Sequence, residues 1–279
     1  MQITEVEPGI FACLTANETA NAGFVVTARG VIVVDSLSTP ARGRELAPAI
    51  QAQTNKPVLL VINTHHHFDH VLGNQAFAVP VVAHCALAEQ LVQAVARDLG
   101  PDEAATWILE HPEDRWLVDE LELIYPNILF EDHLLIDLPP QRLVVQHLGG
   151  HTPDSSIVDL PEQCVVFAGD LVFEGRVPFL RHEDIRRTID ALRRLERRGD
   201  RSVVPGHGDL CNTAYVARLR GYLEARVEAV GRLAANGRTK EEVLDSSQLP
   251  PWWTDDRPDL RRANVERVYD ELSAAAAAI

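Results

Sequence analysis

Short apolar runs broken by glycine and polar turns fill the first third of the chain. Gly9-Ile-Phe-Ala-Cys-Leu14, Gly23-Phe-Val-Val-Thr27 and Gly30-Val-Ile-Val-Val-Asp35 have strand length and β-branched character, the pattern of a meander. From Pro40 to Gln53, Leu46, Ala49 and Ile50 recur among polar residues; this predicts a helix with Thr39 as N-cap, Pro40 at its first position and a kink or interruption at Pro48. Pro57-Val-Leu-Leu-Val-Ile62 and Pro80-Val-Val-Ala-His84 read as further strands, the first an unbroken apolar run suited to burial on both faces.

The pattern then changes. Ala88 to Leu99 and Glu103 to Ile124 are acidic with helical spacing, Trp107, Ile108, Trp116, Leu117 and Leu121 forming the apolar side of the second. The 85–130 stretch is expected either to roof a site or to form an outer helical layer. Strand character returns from Leu134 in three runs, Arg142 to Leu148, Cys164 to Ala168 and Ser202 to Val204. The last part is helical: Glu183 to Arg198 with Ile185, Ile189, Leu192 and Leu195 inward, then Asn212 to Ala235. After Pro250-Pro-Trp-Trp253, a helix from about Asp259 carries Val265, Val268, Tyr269 and Leu272 along one stripe. Such a stripe docks on the core or builds a subunit interface, so the chain is expected as a monomer or homodimer.

With 279 residues, 46% of them hydrophobic, the chain can bury one large core or two modest ones. No apolar run approaches the ~20 residues of a membrane span, and Met1-Gln-Ile-Thr-Glu-Val-Glu7 lacks the basic start and apolar middle of a signal peptide. A cytoplasmic protein with no membrane partner is expected. Cys13, Cys85, Cys164 and Cys211 have no paired spacing, and three lie in or beside apolar runs, so buried thiols are expected rather than disulfides. The net charge of −15 disfavours a nucleic-acid partner, which needs clustered cations.

The chemistry concentrates in Thr64-His-His-His-Phe-Asp-His70, where the apolar strand ending at Ile62 gives way to a loop. In extended chain, residues i and i+2 share a face, so His65 and His67 converge while His66 points away. Past the bend, Asp69 and His70 reach a neighbouring position. Imidazoles and a carboxylate this close suit zinc or a similar divalent metal. A purification tag would sit at a terminus outside the apolar pattern, and this run does neither. Three later runs lead through glycine to a further donor: Gly149-Gly150 to His151, Gly169 to Asp170, and Pro205-Gly206 to His207. Asp35 is either an anchor for a metal-bound histidine or a turn cap. His84, His111, His133, His147 and His182 belong to no motif and read as structural.

His65-His-His67-Phe-Asp69-His70, Gly150-His151-Thr, Ala168-Gly-Asp170 and Pro205-Gly-His207-Gly, in that order, resemble the motif series of the metallo-β-lactamase-fold hydrolases. The resemblance runs from about Gly9 to Cys211. It implies an α/β fold, an αββα sandwich of two mixed β-sheets flanked by helices. A catalytic domain would span 1–211, with 212–279 a helical extension packed on it. It further implies two divalent ions, zinc before manganese or iron, one on His65, His67 and His151 and the other on Asp69, His70 and His207, with Asp170 bridging. Two such ions share a water, lower its pKa and aim the resulting hydroxide at an electrophilic carbonyl or phosphoryl centre. Asp69 is the group placed to orient that hydroxide or pass its proton on.

The carboxylate of Asp170 resembles the glyoxalase II-like branch rather than the true β-lactamases. A small carbonyl ester, thioester or lactone is the expected substrate. Alternatives on the same fold are a mononuclear iron persulfide dioxygenase, a phosphodiesterase and a β-lactamase. Glutathione thioesters rank lower, because Gly208-Asp209-Leu210 follows His207 where those enzymes carry an aromatic. The loop after Asp170 brings Phe173, Arg176 and Phe179 to the mouth of the site.

Overall fold

Two mixed β-sheets face each other, and the main core lies between them. The computed structural model describes residues 1–16, 19–180, 184–199, 201–251 and 258–277. The first sheet has β1 (Gln2–Glu7), β2 (Ile10–Leu14), β3 (Ala22–Val26), β4 (Val31–Val34), β5 (Val58–Ile62), β6 (Val81–His84) and β7 (Ile128–Phe130) side by side in sequence order. Its first four strands are an antiparallel meander and β4 to β7 run parallel. The second sheet comprises β8 (His133–Leu138), β9 (Gln141–His147), β10 (Ser156–Leu160), β11 (Val165–Phe173), β12 (Ser202–His207) and β13 (Cys211–Asn212), again neighbours in order. Only the β11–β12 pair in it is parallel.

Ile10, Val25, Ile32 and Ile62 from one sheet meet Leu143, Val158, Phe167 and Val204 from the other, all buried. The sheets approach so closely at Gly23 that a Cβ there would strike the Phe167 ring. Nine helices are described: α1 (Pro40–Gln51), α2 (Phe68–Val71), α3 (Leu87–Asp98), α4 (Pro101–Glu110), α5 (Trp116–Asp119), α6 (Ile185–Glu196), α7 (Thr213–Ala235), α8 (Lys240–Leu244) and α9 (Pro258–Ala277). On the outer face of the first sheet, Leu46 and Ile50 of α1 pack on Val31, Val33 and Val61. The outer face of the second sheet is covered by α6, α7 and α9, whose Leu192, Leu219, Leu223, Val265 and Val268 join Val166 and Val203. The α9 stripe therefore docks on the core. The expected αββα sandwich is the fold observed.

Several local expectations need correction. Thr39 caps α1 as expected, its Oγ1 accepting from Arg42 N at 3.0 Å, but Pro48 does not interrupt the helix. Both Pro48 and Arg44, whose carbonyl loses its bond, are exposed, so water replaces the missing donor. Glu103 to Ile124 is not one helix. Pro112 removes an amide donor and drives His111 to φ −129°, ψ 71°, so α4 ends and a short 3₁₀ turn and α5 follow. β1 and β10 lie in stretches that the strand reading passed over, and β11 runs on past Asp170 to Phe173. All four cysteines are free, but Cys85 and Cys164 are exposed, each in the turn beside its apolar strand. His182, Trp252 and Trp253 lie outside the described residues. Among the described residues no helix is long and apolar enough to cross a membrane.

The docking of α9 can be measured. Val268 is 1% exposed, so Val268→Ala should cost about 2 kcal/mol in urea unfolding, by lost burial plus a residual cavity. Arg262→Ala, on the solvent side of the same helix, should change stability by less than about 0.5 kcal/mol. Equal effects of the two would show that the stripe does not carry α9.

Candidate metal centre

Parallel neighbours bring the first donors together. Val34 of β4 lies opposite Ile62 of β5, so Asp35 and Thr64 emerge side by side from the same sheet edge. Asp35 N donates to Ile62 O at 2.9 Å, and both N and Oγ1 of Thr64 donate to the Asp35 carboxylate at 2.8 Å. His65 and His66 follow in a bend, and His67 begins α2, whose single turn carries Asp69 and His70 inward. In the second sheet the parallel pair β11–β12 delivers Asp170 and His207 to the same edge. A Cβ at Gly206 would collide with Asp170 Oδ1, so glycine there is a condition of the approach. Gly149 at φ 63° and Gly150 at φ 113° turn the chain from β9 to His151.

The seven residues singled out as metal ligands all meet. His65, His67, His151 and Asp170 form one donor group and Asp69, His70 and His207 another, each with ligand atoms within 4.8 Å of one another. Asp170 lies between them. Its Oδ2 is 3.8 Å from His65 Nε2, 3.4 Å from His151 Nε2 and 3.5 Å from His207 Nε2, and its Oδ1 is 3.1 Å from His70 Nε2. Asp69 Oδ2 lies 3.2 Å from His207 Nε2. His65 Nε2, His70 Nε2 and Asp170 Oδ1 are buried without a properly directed hydrogen bond. Polar atoms are left so only at a cost, and here they converge on common points. Nitrogen and oxygen donors in this arrangement fit a divalent metal.

Supporting contacts set the tautomers. Thr64 directs its hydroxyl proton to Asp35 Oδ2, so its oxygen is left to accept from His65 Nδ1, 3.1 Å away. His70 Nδ1 stands 2.8 Å from the same Asp35 oxygen. Each ring therefore donates through Nδ1, and in its neutral form keeps the Nε2 lone pair for the centre. Asp35 is thus the anchor rather than merely a turn cap, and it holds φ 57° to do so. Reading the sequence missed Asn21, whose Nδ2 donates to Pro205 O at 3.0 Å and Gly208 O at 2.9 Å and whose N donates to Gly206 O at 2.7 Å, a clamp around His207 from the other sheet. Asp154 was missed too; it receives His66 Nδ1 at 2.8 Å and turns that ring away from the donors. Neither residue lies in a motif, so spacing offered no signal.

Burial pushes His151 down to about 4 and, with the charge of His70, holds His65 well below the ordinary imidazole range. Burial opposes the charged form of His207 as well, but attraction to Asp170 and hydrogen bonds to Asp170 and Asp69 lift it to about 9. His70 is raised by Asp170, Asp35 and Asp69 against the same penalty. For Asp170 burial works upward, and His207 and His70 hold it well below the usual carboxylate range. Asp69 is lowered in the same way, against burial, by His70 and His207.

A cavity of about 330 Å³ opens on this centre. Phe173, Arg176 and Phe179 line it, joined by Phe68, Val177, Leu260 of α9 and, from α3, Ala94, Arg97 and Asp98. Phe173 stacks on His207 with ring centroids 5.2 Å apart, and Phe179 meets the His67 and His151 rings at 6.0 and 6.2 Å. Arg176 Nη1 lies 3.3 Å from His207 Nδ1. From the 85–130 stretch, α3 supplies the described lining residues, whereas Trp107 and Leu109 of α4 face outward. The other described histidines stand apart: His84 stacks on His147 at 3.7 Å, His111 on Trp107 at 4.0 Å, and His133 is exposed on β8.

A sandwich of two mixed sheets with histidines and aspartates gathered at one edge defines a class of metal-binding proteins. The chain belongs to the metallo-beta-lactamase superfamily, whose family model matches residues 17–207. It is 30% identical over 161 residues to the acyl-coenzyme A thioesterase MBLAC2 of Homo sapiens, covering 53% of this chain and 56% of that protein. The Gallus gallus protein of the same name is 28% identical over 173 residues, covering 58% of this chain and 60% of that protein. The chain thus spans little more than half the length of these curated relatives. Among solved structures, the sec-alkylsulfatase Pisa1 from Pseudomonas sp. superposes with a TM-score of 0.77 at 21% identity, over 96% of this chain and 49% of that one. A metallo-beta-lactamase family protein from Thermus thermophilus gives 0.70 at 21% identity, over 98% and 96%. At such identities these likenesses establish the fold.

Two outcomes follow from the electrostatics and the anchor. With its pKa raised to about 9, His207 is protonated in the metal-free protein at neutral pH, and a metal must displace that proton. Zinc affinity, measured by competition with a chromophoric chelator between pH ~6.5 and ~8.5, should therefore rise with pH by up to about tenfold per unit for each proton displaced. A flat profile would contradict the assignment of His207 as a ligand. Asp35→Ala should weaken metal binding by about 10- to 100-fold while the far-ultraviolet dichroism stays native; unchanged affinity would show that Asp35 does not orient the ligands.

Proposed function

We propose that the protein is a binuclear metal-dependent hydrolase of small carbonyl substrates, with acyl thioesters ahead of esters and lactones. The observation that carries this reading is the pair of donor groups sharing Asp170 at the floor of a largely apolar cavity. In this reading His65, His67 and His151 would hold one ion and Asp69, His70 and His207 a second, with Asp170 within reach of both groups, zinc being the preferred metal for such donors. When bound, the two ions supply an activated water and polarise the scissile carbonyl.

The chain's own residues do the rest. Asp69 is half-buried beside the cavity and, its pKa being lowered, it accepts hydrogen bonds from the nucleophilic water and orients it. A thiolate, whose acid has a pKa near ~8.5, leaves more readily than an alkoxide, and this favours thioesters. Phe173, Val177 and Phe179 exclude bulk water from the reacting carbonyl and strengthen every charge interaction made there. The curated relatives are named acyl-coenzyme A thioesterases, which supports the same choice. We place the enzyme in a reducing cytoplasmic setting, where four unpaired cysteines remain thiols.

Elemental analysis of the wild type and the Asp170→Ala variant, beside a panel of thioester, ester, lactone, phosphodiester and β-lactam substrates, tests this. About two zinc or manganese ions per chain are expected, with thioesters turned over fastest and hydrolysis falling by about 10³-fold or more in the variant. A single iron with no hydrolysis would overturn the proposal in favour of a sulfur-compound dioxygenase.

A further inference from the structure

The cavity wall includes a helix that lies well beyond the family match. That match ends at residue 207, while α9 runs from Pro258 to Ala277. Its Leu260 lines the cavity and is 7% exposed. One turn further on, Asn264 is 2% exposed and turned toward the segment that carries Phe179. Asn264 Nδ2 donates to Pro178 O at 2.7 Å, and Asn264 Oδ1 accepts from Leu180 N at 3.1 Å. A primary amide presents donor and acceptor in one fixed plane. Here both are engaged by the peptide groups on either side of Phe179, which fixes the backbone that aims its ring across the rings of His67 and His151.

The clamp is itself held. Val265 and Val268 bury α9 against the second sheet's helical layer, and Glu271 Oε2 accepts from Ile185 N at 3.2 Å, at the start of α6. Asp184 N in turn donates to Gly150 O at 2.9 Å, beside His151. The α9 helix therefore positions one wall of the cavity relative to the donors rather than merely covering the sheet.

We propose that α9 is a specificity element, with Leu260 contacting the apolar part of the substrate and Asn264 acting as a positioning residue through Phe179. Its ligand is a hydrocarbon acyl chain lying among Phe68, Ala94, Phe173, Val177, Phe179 and Leu260, the apolar part of the lining. A cavity of about 330 Å³ is at the small end of the ~300–1,000 Å³ typical of ligand sites, so it takes a short or medium chain and leaves a large carrier group outside. This rests on the hydrolase reading for the catalytic outcome but not for binding.

The test therefore has two readouts. Octanoate binding by calorimetry to zinc-loaded wild type should weaken about tenfold in Asn264→Ala, through loss of the clamp, and in Leu260→Trp, through occlusion. In thioester hydrolysis, Asn264→Ala should raise KM about tenfold with kcat within about threefold, and Leu260→Trp should shift preference toward shorter acyl chains. Octanoate binding that is absent in the wild type, or that stays within about twofold in both variants, overturns the assignment of α9. Weakened binding in the variants without any thioester hydrolysis by the wild type supports α9 and overturns the thioesterase reading alone. Leu260→Trp lies at a cavity wall, so it keeps the test open if Asn264→Ala fails to fold.

Discussion

One buried carboxylate governs the centre. Asp170 is 6% exposed and stands within 4 Å of four imidazole nitrogens. An ionised carboxylate out of water is expensive, by several kcal/mol even after relaxation, unless positive charge or well-directed donors surround it. The surrounding rings meet that demand unequally. His70 and His207 face Asp170 together with a second carboxylate, Asp35 or Asp69, and are drawn toward the charged form. His65 and His151 face it with burial and neighbouring histidines against them, and are held neutral. His65 and His151 are thus held neutral, while His70 and His207 carry protons that a bound metal would displace.

The architecture follows from serving that carboxylate from two sheets at once. The parallel pair β11–β12 carries Asp170 and His207, and the parallel pair β4–β5 carries Asp35 and the histidine loop. Each sheet also reaches into the other's half: Asn21 grips the His207 turn, and Ser156 N donates to Thr64 O at 2.9 Å. Asp35 completes the frame. It reaches His70 directly and His65 through Thr64, so a single side chain fixes one ring in each donor group. The left-handed backbone at Asp35 is a conformation that a short polar side chain tolerates better than most.

The donors were readable in the sequence because strand ends put them in short motifs. Apolar runs of strand length announced β5, β11 and β12, and the glycine before each later donor marked where backbone had to pass close. What spacing could not supply was whatever depends on packing between distant segments. Asn21 and Asp154 stand in no motif, and the partners that give Asn21 its role lie 184 and 187 residues away. Pro48 was read from local rules alone, and solvent exposure cancelled the penalty. At Pro112 the same rules prevailed: the missing amide donor and the restricted residue before it end α4 at His111. The two exposed cysteines each stand one residue outside an apolar strand, in the turn, where burial ends.

The site divides by origin. Its donors come from strand ends and the turns that follow them, positions dictated by two sheets that any protein of this fold shares. Its walls come from elsewhere: Ala94, Arg97 and Asp98 from α3, Leu260 from α9, and Phe173 to Phe179 from the loop that α9 pins. Proteins named for a sulfatase and a metallo-beta-lactamase superpose on almost the whole chain at about one-fifth identity, so the shared scaffold cannot by itself choose the bond that is broken. That choice has to be made by the walls, which are built from segments free to differ without disturbing the buried charge. Here apolar side chains lie close to the donors, with Arg97 paired to Asp98 and Arg176 Nη1 3.3 Å from His207 Nδ1. In the proposed reading such walls select by the shape and length of a hydrocarbon group, and the residues of α9 are where that selection would be set.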